Sequence, residues 1–296
     1  MEDTVVEIPK GSGLSSISRK LMQSGVIAND KVFILYVMKE GWQDELKAGE
    51  YKFEKGSTMA DVTNKIVRGD VELKQVTIPE GLTVKEIARL LDEKGVVSEA
   101  DFIKETQNKV LIKQLLGPDL NSFEGYLFPE TYSYSRSLTP KELIVLMVER
   151  FKAVYEPLSD QRERVNLTDN EILTLASIIE KETGSVFERP VISAVFQNRL
   201  RIGMKLDSDP TVIYGMGENY NGNLRRRDLK EYTKYNTYVI KGLPPGPIAN
   251  PGRDSIIAVL DPADVKYLYF VSKGDGTHHF SNSFREHQNA VNKYQR

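Results

Sequence analysis

The groups best placed to do chemistry lie in the second half of this 296-residue chain. The segment Thr168-Asp-Asn-Glu-Ile-Leu-Thr-Leu-Ala-Ser-Ile-Ile-Glu-Lys-Glu-Thr183 opens as a capping box, with Thr168 and Glu171 each able to reach a free backbone N–H. At about 100° per residue, Ile172, Leu175, Ala176, Ile178 and Ile179 gather on one face. Glu182 falls about 50° from the centre of that stripe and Glu180 about 110° from it, so Glu182 is expected to be the inward carboxylate. A carboxyl held against apolar neighbours is disfavoured in its charged form and reaches neutral pH still protonated, as a general acid must. The competing reading is a helix-terminal glutamate that reaches solvent past the last turn.

Three further segments carry groups suited to a sugar cleft. Asn198-Arg-Leu leads through Gly203 to Ser208-Asp-Pro-Thr-Val212, where Asp209 can cap a helix or turn with Pro210 at its first position. Tyr235-Asn-Thr-Tyr238 presents phenol, amide and hydroxyl groups in four consecutive residues. Gly242-Leu-Pro-Pro-Gly-Pro-Ile-Ala-Asn-Pro-Gly252 is stiffened by its prolines, and Pro245 is expected to line the cleft; the alternative is that the loop is a structural corner. Sugars need flat apolar walls for their C–H faces and many donors and acceptors for their hydroxyl and acetamido groups. Tyrosine supplies both, and the chain has 14 tyrosines against one tryptophan.

Other chemistries find little support. Forty basic against 42 acidic side chains leave a net charge of −2, with no basic surplus to drive nucleic-acid binding. There are no cysteines, which removes disulfides and thiolate chemistry and fits either side of a membrane. His278 and His279 adjoin and would point opposite ways on a strand; no metal site and no cofactor are expected, since no zinc, calcium or phosphate-loop pattern occurs. The longest apolar run, Val32 to Met38, is far short of the roughly 20 residues that span a bilayer.

The elements that must position these groups fall into two regions. Ile8-Pro-Lys-Gly11, then Ile17, Leu21 and Gly25, returns at an offset of 70 residues as Ile78-Pro-Glu-Gly81, then Ile87, Leu91 and Gly95. A shorter copy runs from Tyr51 to Gly69. Each copy reads as a strand, a turn at glycine and an amphipathic helix, and the copies are expected to pack together as one module. Beyond Gly117-Pro118 the texture changes. Residues 124–134 predict a strand with Tyr126, Phe128, Tyr132 and Tyr134 on one face. Helices are expected over Pro140–Tyr155, Thr168–Thr183 and Arg189–Leu200, then strand and loop as far as Phe280, and a closing helix over Asn282–Gln295. Helices and strands segregate, which predicts an α+β fold.

The three copies resemble LysM modules, which bind chains of N-acetylated sugars; the alternative is a structural spacer. In the second half, Glu124–Tyr132, Ala176–Thr183, Asn198-Arg-Leu with Ser208–Val212, Tyr235–Tyr238 and Gly242–Pro247 occur in one order. Together they resemble the endolytic murein transglycosylases of the MltG, or YceG-like, type. The resemblance implies a LysM-like repeat module over 1–112 and a catalytic domain over 113–296. It implies cleavage of the β-1,4 bond between N-acetylmuramic acid and N-acetylglucosamine in peptidoglycan, leaving 1,6-anhydro ends, with Glu182 as acid and base. Asn198, Asp209, Thr211, Tyr235, Asn236, Thr237 and Tyr238 are implied to line the cleft. It further implies partnership with cell-wall synthases, action outside the cytoplasm, and a membrane tether through an N-terminal helix absent from this sequence. The alternatives are a hydrolytic muramidase and a non-catalytic wall-binding module.

Overall fold

The computed structural model describes residues 3–163 and 165–295; Met1 and Glu2, with which the expected first module opens, lie outside them. The chain divides into two compact units, Met1–Thr77 with Lys94–Val97 and Thr131–Thr139, and Ile78–Glu93 with Ser98–Glu130 and Pro140–Arg296. In the first unit, β1 (Thr4–Ile8) pairs antiparallel with β2 (Gly49–Phe53), Val6 lying opposite Tyr51. Between them run α1 (Leu14–Gln23) and α2 (Asp30–Glu40). Asn29 caps α2, its side chain accepting from Lys31 and Val32 N–H, and Gly41 ends it in the left-handed region. The helix α3 (Met59–Arg68) follows β2 and is fixed by a Thr58–Asp61 capping box. Val6, Ile8, Ile17, Leu21, Phe33, Val37, Tyr51, Val62 and Ile66 form one closed core. A second ribbon pairs β3 (Lys74–Thr77) with β4 (Thr131–Tyr134).

The second unit starts with α4 (Val84–Glu93), α5 (Glu99–Thr106) and α6 (Lys109–Leu116). It continues through α7 (Pro140–Tyr155), α8 (Ser159–Arg162), α9 (Asp169–Glu182), α10 (Arg189–Arg201), α11 (Asp209–Met216) and α12 (Arg253–Leu260). A ribbon of β5 (Tyr269–Ser272) and β6 (His278–Ser281) and the helix α13 (Phe284–Tyr294) complete it. Among the described residues, three separate two-stranded antiparallel sheets set among helices make the fold α+β. No described helix is long and apolar enough to cross a membrane.

The 70-residue repeat is structural, since α1 and α4 share both ends at that offset. Its copies do not share one module, however. The first copy closes its own core, whereas the second is split, β3 belonging to the first unit and α4 and α5 to the second. Within the second unit α4 packs on α5 and α5 on α7. The strand read over 124–134 is confined to Thr131–Tyr134, and residues 124–126 form a turn. Gly125 sits at φ +89°, and a Cβ there would lie 2.4 Å from Pro247. The four aromatic residues of equal parity are nevertheless all buried. The stretch after Gly203 is more helical than expected, with α11 and α12 interrupting it; Ile256, Val259 and Leu260 of α12 are buried at helical spacing.

Candidate active site

The whole site lies within the second unit. At its centre is α9, whose Thr168–Glu171 capping box is formed as read from the sequence. Every residue from Ile172 to Ile179 is buried, including Thr174 and Ser177. The helix is therefore enclosed on all sides instead of along one stripe, and the wheel alone cannot separate Glu180 from Glu182. Both carboxylates turn inward. Partners distinguish them.

Glu180 is held by Arg189, whose Nη2 donates at 2.8 Å, and by the backbone N–H of Gly252 at 2.9 Å. Both side chains of that ion pair are 6% exposed. Arg189 also approaches Glu80 at 3.4 Å. This carboxylate ties the end of α9 to the starts of α10 and α12, and its charge is already matched. Lys181 points away, its Nζ donating to the Gly81 carbonyl at 3.1 Å.

Glu182 has no such cation in contact. It is partly buried, and Ser208 Oγ donates to its Oε1 at 2.5 Å. Burial pushes its pKa up to about 7 and Asp209 adds to the rise, while the Ser208 hydrogen bond and the more distant Arg199 oppose it. A half-protonated carboxyl near neutral pH, with Oε2 uncommitted among the hydrogen bonds observed, can both give and take a proton.

The side chains around Glu182 are arranged to hold Ser208. Arg199, buried, donates from Nη1 to the Leu206 carbonyl at 2.7 Å and from Nε to the Leu268 carbonyl at 2.6 Å. It thereby fixes the loop in which Asp207, at φ +48°, is the one described non-glycine residue with positive φ. Ser208 is 1% exposed; its N–H donates to Thr237 Oγ1 at 3.0 Å and its carbonyl accepts from Thr211 Oγ1 at 2.6 Å. The two threonine hydroxyls meet at 2.8 Å. Asn236 donates to the carbonyls of Asp228, Leu229 and Glu231 and locks the turn that carries Thr237.

These contacts revise the expected cleft lining. Thr211, Asn236 and Thr237 are fully buried and spend their polar groups on the protein. Asn198 does likewise, donating to the carbonyls of Val265 and Tyr267. In this structure their polar groups brace the protein. Asp209 and Tyr238 remain at the accessible edge, joined by a 2.7 Å hydrogen bond. Tyr235 packs edge-on against Tyr214, and Pro245 is exposed, its carbonyl accepting from Asn170. Ser208 and Arg199 were not singled out from the sequence, although both sit inside quoted motifs. A serine beside Asp-Pro reads as a cap, and nothing in its spacing points to a carboxylate 26 residues earlier. His278 faces Glu188 at 2.7 Å, and the described residues contain no group of three metal-ligating side chains.

Comparison with known proteins places this geometry in a family. The model of the YceG-like family matches residues 6–293. A protein of Bacillus subtilis (strain 168) named endolytic murein transglycosylase is 33% identical over 98% of this chain and 84% of its own length. One from Streptococcus pneumoniae serotype 2 (strain D39 / NCTC 7466) with the same name is 30% identical over 97% of the chain, which spans 57% of that relative. The crystal structure of a yceG-like protein from Listeria monocytogenes superposes with a TM-score of 0.67 at 32% identity, covering 98% of this chain and 99% of that one. Matched over residues 6–293, this chain belongs to the YceG-like family.

Proposed function

We propose that this protein is an endolytic murein transglycosylase, a lyase that cleaves the β-1,4 bond between N-acetylmuramic acid and N-acetylglucosamine within peptidoglycan strands. The observation that carries the reading is Glu182, a partly buried carboxyl hydrogen-bonded by Ser208 and poised at about pH 7. The relatives of this chain bear the corresponding name. Glu182 protonates the glycosidic oxygen as the bond to the anomeric carbon breaks. The substrate's own acetamido group relieves the positive charge on that carbon. Glu182, now ionised, takes the proton of the C6 hydroxyl as that oxygen attacks the same carbon, closing a 1,6-anhydro ring. One carboxyl is used twice, in the order acid then base. Asp209 and Tyr238 contact the sugars at the edge of the site, and Tyr235 and Pro245 line the cleft with them.

A hydrolytic muramidase is the second reading, favoured by the proximity of Asp209, which raises the Glu182 pKa. It requires a second carboxylate to activate water or act as nucleophile, and Asp209 is engaged by Tyr238. In function the chain divides as its sequence does. Residues 1–112 serve as a LysM-like region that meets the wall, and 113–296 hold the chemistry. The protein acts outside the cytoplasm, beside the synthases whose nascent strands it shortens. Digestion of purified sacculi followed by mass analysis tests the reading. The expected fragments lack a reducing end and are one water lighter than hydrolytic ones, and Glu182→Gln releases none. Fragments with free reducing ends would establish the muramidase, and equal release by Glu182→Gln would remove Glu182 from the mechanism.

A further inference from the structure

A second carboxyl has properties the mechanism leaves unused. Glu124 is 7% exposed and lines a cleft of about 1180 Å3 whose walls are Thr83 and the first turn of α4, the ends of α5 and α6, and the second half of α11. Its carboxylate accepts from the Val84 N–H at 3.1 Å, Asn250 Nδ2 at 3.2 Å and the Tyr214 hydroxyl at 3.2 Å. Val84 and Tyr214 lie on different walls, so Glu124 ties the two sides of the cleft together, with Asn250 behind the lining. Asn250 completes the clamp, its Oδ1 accepting from the Gly125 and Leu127 N–H groups at 2.9 Å.

Two rigid links connect this cleft to Glu182. The helix α11 begins at Asp209, beside Ser208, and presents Ile213 and Tyr214 to the cleft. At about 1.5 Å per residue its eight positions span on the order of 10 Å. On the other side Lys181, next to Glu182 in sequence, holds Gly81 two residues before the cleft wall begins at Thr83. The lining itself combines tyrosine rings (Tyr214, Tyr220) with exposed amides (Gln107, Asn121). That is the pairing of flat apolar faces and dense donors and acceptors that N-acetylated sugars require.

We propose that this cleft is a glycan-binding subsite that holds the strand at a distance from the cleaved bond, Tyr220 and Tyr214 stacking on sugar faces while Gln107 and Asn121 bind hydroxyl and acetamido groups. This rests on the reading of Glu182 as the acid/base. It explains how an enzyme would cut inside a strand instead of at its end, because a bound remote segment keeps the bond over Glu182 away from the terminus.

The test uses the full chain carrying Glu182→Gln, so that nothing is consumed, and N-acetylglucosamine tetramer as the probe. Backbone amide shifts on titration are expected at Ser122, Gly217 and Tyr220 and to saturate. Adding Gln107→Ala and Tyr220→Ala, both at accessible positions, should weaken binding about tenfold, the loss of one ring wall and one amide, with the thermal midpoint unchanged. In the active background the same pair of substitutions should shift products toward strand-end fragments. Shifts confined to Asp209 and Tyr238, absence of any saturable shift, or unchanged affinity in the double variant each overturn the subsite. Equal activity of Glu182→Gln and wild type would instead refute the acid/base reading, a result the binding titration does not depend on.

Discussion

Replacing Ser208 by alanine should move the pH profile of the enzyme without abolishing its fold. The Ser208 hydroxyl donates to Glu182 Oε1 at 2.5 Å and lowers a pKa that burial otherwise raises. A hydrogen bond to a charged acceptor contributes roughly 1.5–3 kcal/mol, and 1.36 kcal/mol corresponds to one pH unit. Loss of the donor should therefore carry the Glu182 pKa from about 7 up by roughly one to two pH units. Protonated Glu182 is the form that starts the reaction, so kcat/KM falls as pH rises through its pKa. In Ser208→Ala that alkaline fall should come correspondingly later, while kcat at neutral pH drops because the carboxylate is a poorer-positioned base. Ser208→Thr, which keeps the hydroxyl, should restore the wild-type limb. Asp209 and Arg199 also act on Glu182, and both remain in these variants. Rates on isolated glycan strands between pH 5 and 9, with carbon NMR of the Glu182 carboxyl as a direct titration, give the answer. An alkaline limb that stays in place in Ser208→Ala would refute the reasoning, whatever happens to the absolute rate.

The same pKa makes a stability prediction for Glu182→Gln. A folded pKa of about 7 against 4.5 for the free group means that its contribution is fully present below pH 4.5 and is lost as pH rises through about 7; the variant should be more stable than wild type at pH 8 by up to about 3 kcal/mol and equal to it near pH 4. Denaturant midpoints at both pH values check this, and parallel stability curves would contradict it. Glu180→Ala should cost about 3 kcal/mol, because it removes the buried partner of Arg189 and leaves it only the more exposed Glu80 at 3.4 Å, yet the folded fraction should retain cleavage; thermal melting with activity per folded molecule separates the two effects. Gly125→Ala should destabilise by more than about 2 kcal/mol, since φ is +89° and its Cβ would meet Pro247, and an unchanged melting temperature would count against the close approach described here.

Much of the local structure was legible in the sequence because it is set by local rules. The capping box of α9 and the span of α7 follow from side-chain types within a few residues. The 70-residue repeat was legible for the same reason, and α1 and α4 coincide at that offset. What the copies pack against was not legible, because an amphipathic face specifies that it must be covered and not by what. The wheel chose Glu182 over Glu180, but from the premise of a one-sided helix, whereas α9 is buried all round. The burial of Thr211, Asn236 and Thr237 was not legible, because a polar residue in a motif signals equally a ligand contact and a buried brace. Only the hydrogen-bond partners decide between them.

Those braces explain why the motifs are so far apart in sequence and yet belong to one site. A carboxyl used first as acid and then as base needs a pKa near the working pH, and two opposed influences must be held constant to keep it there. Burial is supplied by α9 and its neighbours. The opposing hydrogen bond is supplied by a single hydroxyl on a loop, and a loop moves unless it is tied. Ser208 is tied from Thr237 through its N–H, from Thr211 through its carbonyl, and from Arg199 through the carbonyl of Leu206. Asn236 fixes the turn that delivers Thr237. Remove any of these and the Ser208–Glu182 distance becomes a distribution, with the pKa spread accordingly. Glu180, two residues earlier on the same helix end, shows the contrast: given Arg189 and the Gly252 N–H, an identical side chain becomes a structural anchor.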